Sequence, residues 1–269
     1  MTTVPIRMPE GLDALGSLLD LVAERQRQDF GQLDSESKAD GSLITACDRW
    51  SDATLVAGLD RLYPGEGVLS EEGSQRVPGT DAFWVVDPLD GTTNFAAGIP
   101  YWAISMARFE QGVPVLGVLD VPPLRQRIVA IRGGGAWRKD IKLQPPAARN
   151  QVAGCASLCS RSIGVLQKLS NQRFPGKIRL LGVASLNLVS VGMGQTISAL
   201  EATPKIWDLA AAWLVLQELN CPMRWLVRDP AQLQAGEDLS QANFPVLAAR
   251  DAATLATFKP WADALVSST

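Results

Sequence analysis

The stretch FWVVDPLDGTTNF occupies residues 83–95 of the chain. Its first half is a short apolar run of the β-branched and aromatic residues that are typical of a buried strand. The run then ends on two acids, Asp87 and Asp90, which are followed by a glycine and two threonines. A carboxylate at the edge of an apolar core costs several kcal/mol of desolvation unless it is paired, hydrogen-bonded or bound to a metal. The stretch therefore predicts a strand that ends in a functional site.

Apolar periodicity divides the chain into a helical first third and two later parts that contain strands. Helical spacing predicts two helices, around residues 12–22 and 50–62. Short apolar runs predict one sheet from residues 83–87, 101–109, 113–121 and 127–133, with a hairpin turn at Gln111 and Gly112. Further strands are predicted at 177–182, 196–202 and 244–250, and helices at 185–193, 207–219 and 253–266. We expect an α/β (α+β) fold of layered helices with two sheets. We also expect two subdomains, residues 1–145 and 146–269, with the second completing the site.

The composition excludes several kinds of site. The chain has no histidine, which rules out Ser-His-Asp and Cys-His catalysis and histidine-ligated metals. Four cysteines without CxxC spacing give neither a disulfide framework nor a thiolate zinc site. A net charge of -3 with interspersed signs provides no basic stripe for a nucleic acid polymer. Since the chain shows no signal peptide and no run of about 18 apolar residues, we expect a soluble cytoplasmic protein without membrane contact.

Acids next to apolar residues recur in four short segments: TACD, LSEEG, DPLDGTT and IWDLAA. Carboxylate oxygens are the ligands that hard divalent cations such as Mg²⁺ prefer. Each segment also has a structural interpretation. Asp208 could stabilise a helix N-terminus, Glu71 and Glu72 could lie in a solvated turn, and Asp87 could form an Asx-Pro turn before a helix cap. The four segments together favour a metal site.

These segments resemble the inositol monophosphatase family of Mg²⁺-dependent, lithium-sensitive sugar-phosphate phosphatases. The similarity runs over about residues 38–215, in the order of the family. Two small departures are SEEG, where the family often has GEES, and Ala97, where it often has a histidine. Neither removes a recognised metal ligand. The matching stretches are KADGSLITACD, LSEEG, FWVVDPLDGTTNFAAGIPYWAIS, GVLDVP, RGGGAW, RLLGVASLNL and LEATPKIWDLAA.

The resemblance implies a layered αβαβα sugar phosphatase fold and a set of metal ligands. Glu71, Asp87 and the backbone carbonyl of Leu89 are expected to hold one Mg²⁺. Asp87, Asp90 and Asp208 are expected to hold a second, so that Asp87 bridges the two ions.

The resemblance also assigns the phosphate site and the catalytic groups. Gly91 and Thr92 begin a helix whose free N–H groups receive the phosphate, with glycine allowing a close approach of the backbone. Thr92, oriented by Asp48, is expected to accept a proton from the attacking water, and Glu71 to help position that water. Bound cations activate the water and stabilise the attacking and leaving oxygens.

The substrate predicted by resemblance is inositol 1-phosphate, a small phosphorylated polyol. Glu201 and the backbone of Ala184 are expected to bind its ring hydroxyls beside Asp90 and Asp208. Alternatives are histidinol phosphate, 3′-phosphoadenosine 5′-phosphate and fructose 1,6-bisphosphate, and Glu201 could instead be a strand-end surface acid. The resemblance further implies inhibition by Li⁺ and a homodimer.

Two other functions remain open in the sequence. Cys155 and Arg161 have the Cys-x5-Arg spacing of phosphatases that use a thiolate nucleophile, although the loop between them lacks glycines. The chain could also be a non-catalytic binding protein on a phosphatase scaffold.

The triple glycine at residues 133–135 fits no nucleotide-binding spacing and is interpreted as a turn.

Overall fold

The computed structural model describes residues 11–32, 35–37, 43–146 and 154–267. The helices in these ranges are α1 (Asp13–Asp29), α2 (Ala46–Leu62), α3 (Thr92–Ala96), α4 (Gly164–Lys168), α5 (Ala184–Gly192), α6 (Ile206–Glu218) and α7 (Ala252–Val266). The strands are β1 (Ser35–Ser37), β2 (Leu43–Thr45), β3 (Gly67–Ser70), β4 (Ala82–Asp90), β5 (Ala103–Glu110), β6 (Val113–Val121), β7 (Gln126–Ile131), β8 (Gly135–Arg138), β9 (Ile141–Lys142), β10 (Cys155–Leu158), β11 (Lys177–Arg179), β12 (Ser198–Glu201), β13 (Met223–Trp225) and β14 (Val246–Ala249).

The larger sheet has seven strands in the order β3-β4-β5-β6-β7-β8-β9. Only its first pair, β3 with β4, is parallel. The remaining strands form a meander of hairpins, as expected where short turns join consecutive strands. The predicted turn at Gln111 and Gly112 joins β5 to β6, and both residues have the left-handed φ angles, 51° and 78°, that tight hairpins require.

The smaller sheet has five strands in the order β11-β10-β12-β14-β13. Strand β10 is parallel to β11 and β12, whereas β14 is antiparallel to β12 and β13. The prediction of two sheets is confirmed. Beside them, β1 and β2 form a short antiparallel ribbon that leads into α2.

Five layers result from this arrangement. Helices α1 and α2 pack on one face of the seven-stranded sheet, through a core that includes Leu19, Leu55 and Trp84. Helices α5 and α6 lie between the two sheets, and α4 and α7 cover the far face of the five-stranded sheet. Close packing of α6 depends on Gly117 of β6, where an added Cβ would lie 2.9 Å from the Ala211 carbonyl oxygen. The fold is therefore the layered αβαβα fold that the resemblance implied.

The predicted subdomain boundary between residues 145 and 146 lies between β9 and β10. Residues 147–150 of the polar stretch around it lie outside the described residues. Helices α5 and α6, from the second half of the chain, share one apolar core with the seven-stranded sheet. A division into two subdomains stays a prediction. Among the helices of the described ranges, none combines the length and the apolar character needed to span a membrane.

Candidate active site

The first two acids of the site lie at the end of β4. Strand pairing with β5 is regular up to Asp87 and shifts in register before Asp90, so the intervening Pro88 and Leu89 form an irregularity. Within it, the Leu89 N–H donates to Asp87 Oδ1 at 2.9 Å. Gly91 follows with a φ of +107°, and a Cβ at that position would lie 2.8 Å from the Val183 side chain. The predicted strand end is therefore a sharp turn that requires glycine.

The third acid, Asp208, comes from the first turn of α6. Its Oδ2 accepts the Lys205 N–H at 2.8 Å, so it caps the helix. Asp208 also offers a carboxylate oxygen to a group shared with Asp87 and Asp90, and the oxygens of the three residues lie within 4.8 Å of one another. The structural and the functional interpretation of this residue are thus compatible.

The electrostatics of this acidic cluster, defined here as Asp87, Asp90 and Asp208, favour a bound cation. Burial raises the pKa of Asp87 well above its usual value, and the charges of Glu71 and Asp90 raise it further. Burial followed by the charge of Asp90 likewise raises the pKa of Asp208. Burial raises the pKa of Asp90 to about 6, although the hydrogen bond that the Ser185 N–H donates to Asp90 Oδ2 at 2.7 Å opposes the shift. An all-oxygen donor set with this much electrostatic repulsion fits a hard divalent cation such as Mg²⁺.

Thr92 and Asp48 lie next to this cluster as a hydrogen-bonded pair. The Thr92 hydroxyl donates to Asp48 Oδ1 at 2.8 Å and also lies 3.2 Å from the Leu89 carbonyl oxygen. The other oxygen of Asp48 accepts the Thr45 N–H at 2.8 Å, in the capping box that begins α2. The pairing of Thr92 with Asp48 was expected. Thr45 was not, although Thr-x-x-Asp before a helix is a recognisable capping signal.

Glu71 lies on the wall of the same cavity but outside the acidic cluster. Its N–H donates to the Val86 carbonyl at 3.1 Å, which fixes its backbone beside β4. The cavity has a volume of about 170 Å³. It is lined by Leu43, Glu71, Asp87, Leu89, Asp90, Gly91, Thr92, Thr93, Gly182 and Asp208. All the predicted metal and phosphate residues therefore border one cavity, called the acidic cavity below.

A second cavity of about 250 Å³ shares Asp90, Gly182 and Asp208 with the acidic cavity. All four residues predicted to bind the substrate line this cavity, which is called the leaving-group cavity below: Asp90, Ala184, Glu201 and Asp208. The alternative that Glu201 is a surface acid is wrong, because the residue is only 2% exposed. Burial raises the pKa of its carboxyl group to about 8, with the hydrogen bond from Asn187 acting in the opposite direction.

Comparison with known proteins shows to which family the chain belongs. The sequence model of the inositol monophosphatase family matches residues 13–251. The chain belongs to the inositol monophosphatase family. It is therefore a phosphatase of this family.

Among the family's members, the histidinol-phosphatase of Mycobacterium tuberculosis is 35% identical over 216 residues, 75% of this chain and 82% of the relative. The inositol-1-monophosphatase of Mesorhizobium japonicum is 34% identical over 210 residues, 71% of this chain and 76% of the relative. The IMPase structure from Thermotoga maritima superposes with a TM-score of 0.79 and 24% identity, covering 95% of this chain and 98% of that one. This structural likeness shows the fold. Residues 38–42 of the matching stretch KADGSLITACD lie outside the described residues.

In this member of the inositol monophosphatase family, the two residues of the thiolate alternative do not share a cavity. Cys155 borders a cavity with Arg250, whereas Arg161 borders the leaving-group cavity. The cysteine and the arginine of the Cys-x5-Arg spacing therefore line different cavities. The triple glycine is a turn between β7 and β8, and the N–H groups of Gly133 and Gly135 each donate to the Glu218 carboxylate at 2.8 Å.

Proposed function

We propose that this protein is a Mg²⁺-dependent phosphomonoesterase that hydrolyses inositol 1-phosphate to myo-inositol and phosphate. The observation that carries the proposal is the convergence of three carboxylates beside the hydrogen-bonded pair of Thr92 and Asp48. A cluster of buried acids is suited to collect divalent cations, and an oriented hydroxyl beside it is suited to accept a proton.

The ligands proposed for Mg²⁺ are the residues of the acidic cavity. Glu71, Asp87 and the Leu89 carbonyl would hold one ion, and Asp87, Asp90 and Asp208 a second. When bound, Mg²⁺ supplies Lewis-acid charge that lowers the pKa of water and stabilises the negative charge of the reacting phosphate.

The remaining chemistry belongs to the chain itself. Asp48 accepts the hydroxyl proton of Thr92, which leaves the Thr92 oxygen able to take a proton from the attacking water. Backbone N–H groups at Gly91 and Thr92 are proposed to bind the phosphate oxygens, because the glycine at this turn permits close approach.

The leaving-group cavity supports a polyol substrate. A buried carboxyl at Glu201 offers hydrogen-bond acceptors to adjacent hydroxyls, and Ala184 lies at the first position of α5 in the same cavity. A relative at 34% identity is named an inositol-1-monophosphatase. Histidinol phosphate is the second candidate, because another relative is a histidinol-phosphatase and because a buried carboxyl also suits an ammonium group.

The test is a side-by-side measurement of kcat/KM, with Mg²⁺, for inositol 1-phosphate, histidinol phosphate, fructose 1,6-bisphosphate and 3′-phosphoadenosine 5′-phosphate. We expect inositol 1-phosphate to be hydrolysed best. A preference of tenfold or more for another substrate, about 1.4 kcal/mol of transition-state free energy, would overturn the inositol assignment and leave the metal mechanism standing. Full turnover in excess chelator would overturn the mechanism, and no phosphate release from any substrate would indicate a non-catalytic scaffold.

We further propose a cytoplasmic homodimer that Li⁺ inhibits. All four cysteines are free thiols, which suits a reducing compartment. Ile99 and Leu181 are exposed apolar residues that Asn94 links through its backbone and side chain, and they offer an apolar surface to a second copy. Light scattering at several protein concentrations measures the mass, and a monomer at all of them would contradict the dimer.

A further inference from the structure

Glu201 is a buried acid whose hydrogen-bond partners are neutral. It is the last residue of β12, and it borders the leaving-group cavity with Asp90 and Asp208. Among the ion pairs of the described residues, none involves Glu201. Its carboxyl group therefore depends on neutral donors for its position, and a buried carboxyl without them would be free to turn away from the cavity.

The donor to the Glu201 carboxyl is the side chain of Asn187 on α5. Asn187 Nδ2 donates to Glu201 Oε1 at 2.8 Å, and Asn187 is 1% exposed. Its Oδ1 is buried and has no hydrogen-bond partner among the described residues. When Glu201 is ionised, as in the proposed substrate-binding state, the opposite amide orientation would set two acceptors against each other. The amide therefore donates to Glu201 and leaves its own carbonyl unsatisfied. A buried acceptor without a partner lowers the stability of the folded protein. This arrangement is therefore more consistent with a functional role for Asn187 than with a contribution to stability.

Cys159, which follows β10, lines the same cavity as Glu201. Its sulfur accepts the N–H of Ala202, the residue after Glu201, at 3.3 Å. Its sulfur also lies 3.0 Å from the Ser162 hydroxyl. Asn187 of α5 thus holds the Glu201 side chain, and Cys159 holds the backbone of the next residue. Both α5 and β10 precede β12 in the chain.

We infer that Asn187 is a positioning residue for substrate selection: it fixes the Glu201 carboxyl so that leaving groups with hydroxyl donors are bound in the cavity. The inference rests on the proposed role of Glu201 in binding the leaving group. Asn187 does not act on phosphate or metal ligands in this scheme. Its effect is confined to substrates that reach Glu201.

The test is a double-mutant cycle read with two substrates. Asn187→Leu removes the donor at similar volume, and Glu201→Gln removes the carboxylate. We expect Asn187→Leu to raise the KM of inositol 1-phosphate about tenfold, leave kcat nearly unchanged, and change the hydrolysis of p-nitrophenyl phosphate less than about twofold. In the Glu201→Gln background, Asn187→Leu should add no further effect, which gives a coupling of about 1.4 kcal/mol.

Ser198→Ala is the matched control. Ser198 lies on the same strand, is 1% exposed and donates a buried hydrogen bond to the Ala248 carbonyl at 2.9 Å, but it borders neither of the two cavities described above. We expect it to lower stability without changing the ratio of kcat/KM between the two substrates. Asn187→Ala, which also removes the donor and introduces no bulkier or charged group, provides a second variant if Asn187→Leu does not fold.

The outcomes separate the two proposals. If Glu201→Gln raises the KM of inositol 1-phosphate but neither Asn187 variant does, the inference is wrong and the role of Glu201 stands. If an Asn187 variant impairs both substrates equally, its role is structural and the inference is also wrong. If Glu201→Gln has no effect on either substrate, the proposed role of Glu201 fails and the inference fails with it.

Discussion

Asp48 and Asp208 each bind a helix N-terminus and also belong to the proposed active site. Asp48 caps α2 with one oxygen and accepts the Thr92 hydroxyl with the other. Asp208 caps α6 and joins the acidic cluster. A cap fixes the side chain through backbone hydrogen bonds, so no cationic side chain is needed to hold it. Helix capping is therefore the device that holds the candidate catalytic acids in place.

The first prediction concerns Asp208→Asn. The amide keeps an oxygen for the cap but loses the charge, so we expect kcat/KM to fall by about 10²–10³-fold or more. In chelator the variant should unfold at a higher temperature than the wild type, because burial and the charge of Asp90 already disfavour ionised Asp208. Phosphate release and thermal unfolding measure the two effects. Retained activity, or a lower unfolding temperature in chelator, would contradict the assignment.

The second prediction separates the roles of the Thr92 hydroxyl and its backbone. Thr92→Ala should lower kcat by about 10²–10⁴-fold with little change in KM, because the hydroxyl is assigned to proton transfer. Thr92→Ser keeps the hydroxyl that donates to Asp48 and should retain most of the activity. Steady-state kinetics with both variants tests this. A change in KM alone would make Thr92 a binding residue.

These acids and Thr92 could be predicted because each lies in a short motif whose chemistry is local. Asn187 could not, because its role depends on a contact with Glu201 that joins separate elements. In the sequence, an asparagine in an apolar helix looks like an ordinary core residue. Only the packing of α5 against β12 reveals it.

At the scale of elements, the glycine turn before β8 anchors the far end of α6. Gly133 and Gly135 donate their N–H groups to Glu218, the last residue of the helix. The first turn of the same helix carries Asp208. A helix tied to the seven-stranded sheet at its C-terminal end and packed along it cannot slide, which keeps Asp208 in register with β4.

The third prediction is that Glu218→Gln lowers the free energy of unfolding by about 1–3 kcal/mol, because one of two backbone N–H groups loses its acceptor. Urea unfolding measures the loss. Gln217→Ala, at the exposed neighbouring position, is the control and should change stability little. Equal stability of Glu218→Gln and the wild type would show that the anchor is unimportant.

Long periodic elements were predictable and short ones were not. Helix α6 was predicted at 207–219 and runs Ile206–Glu218, because its apolar residues repeat over several turns. Strands β1, β2, β3, β8, β9 and β13 were missed. Each has only two to four residues, too few for an alternating pattern to stand out from the turns around it.

At the scale of the whole molecule, buried acids couple folding to pH and metal. The pKa of Asp90 is raised from 3.8 to about 6 and that of Glu201 from 4.5 to about 8, both chiefly by burial. At pH values between the ordinary and the raised pKa of each acid, the folded protein holds a proton that the unfolded chain has released. The free energy of unfolding therefore falls as pH rises through these ranges. A bound divalent cation needs the ionised acids and so stabilises more as pH rises.

The fourth prediction follows from these opposite signs. In chelator, we expect the free energy of unfolding to fall by a few kcal/mol between about pH 5 and about pH 8, whereas saturating Mg²⁺ should flatten or reverse the slope. Urea unfolding with and without Mg²⁺ measures both slopes. Asp90→Asn is the control and should reduce the slope in chelator. A pH dependence that Mg²⁺ leaves unchanged would contradict cation binding by these acids.

The position of α5 and α6 between the sheets has a consequence during translation. All seven strands of the larger sheet leave the ribosome before either helix does, so a nascent chain that ends at residue 146 exposes the apolar face that these helices later cover. Synthesis of α6 then covers that face and delivers Asp208 in the same step. The growing polypeptide thus passes from an exposed apolar sheet face to a covered core and a complete acidic cluster once α5 and α6 have both emerged.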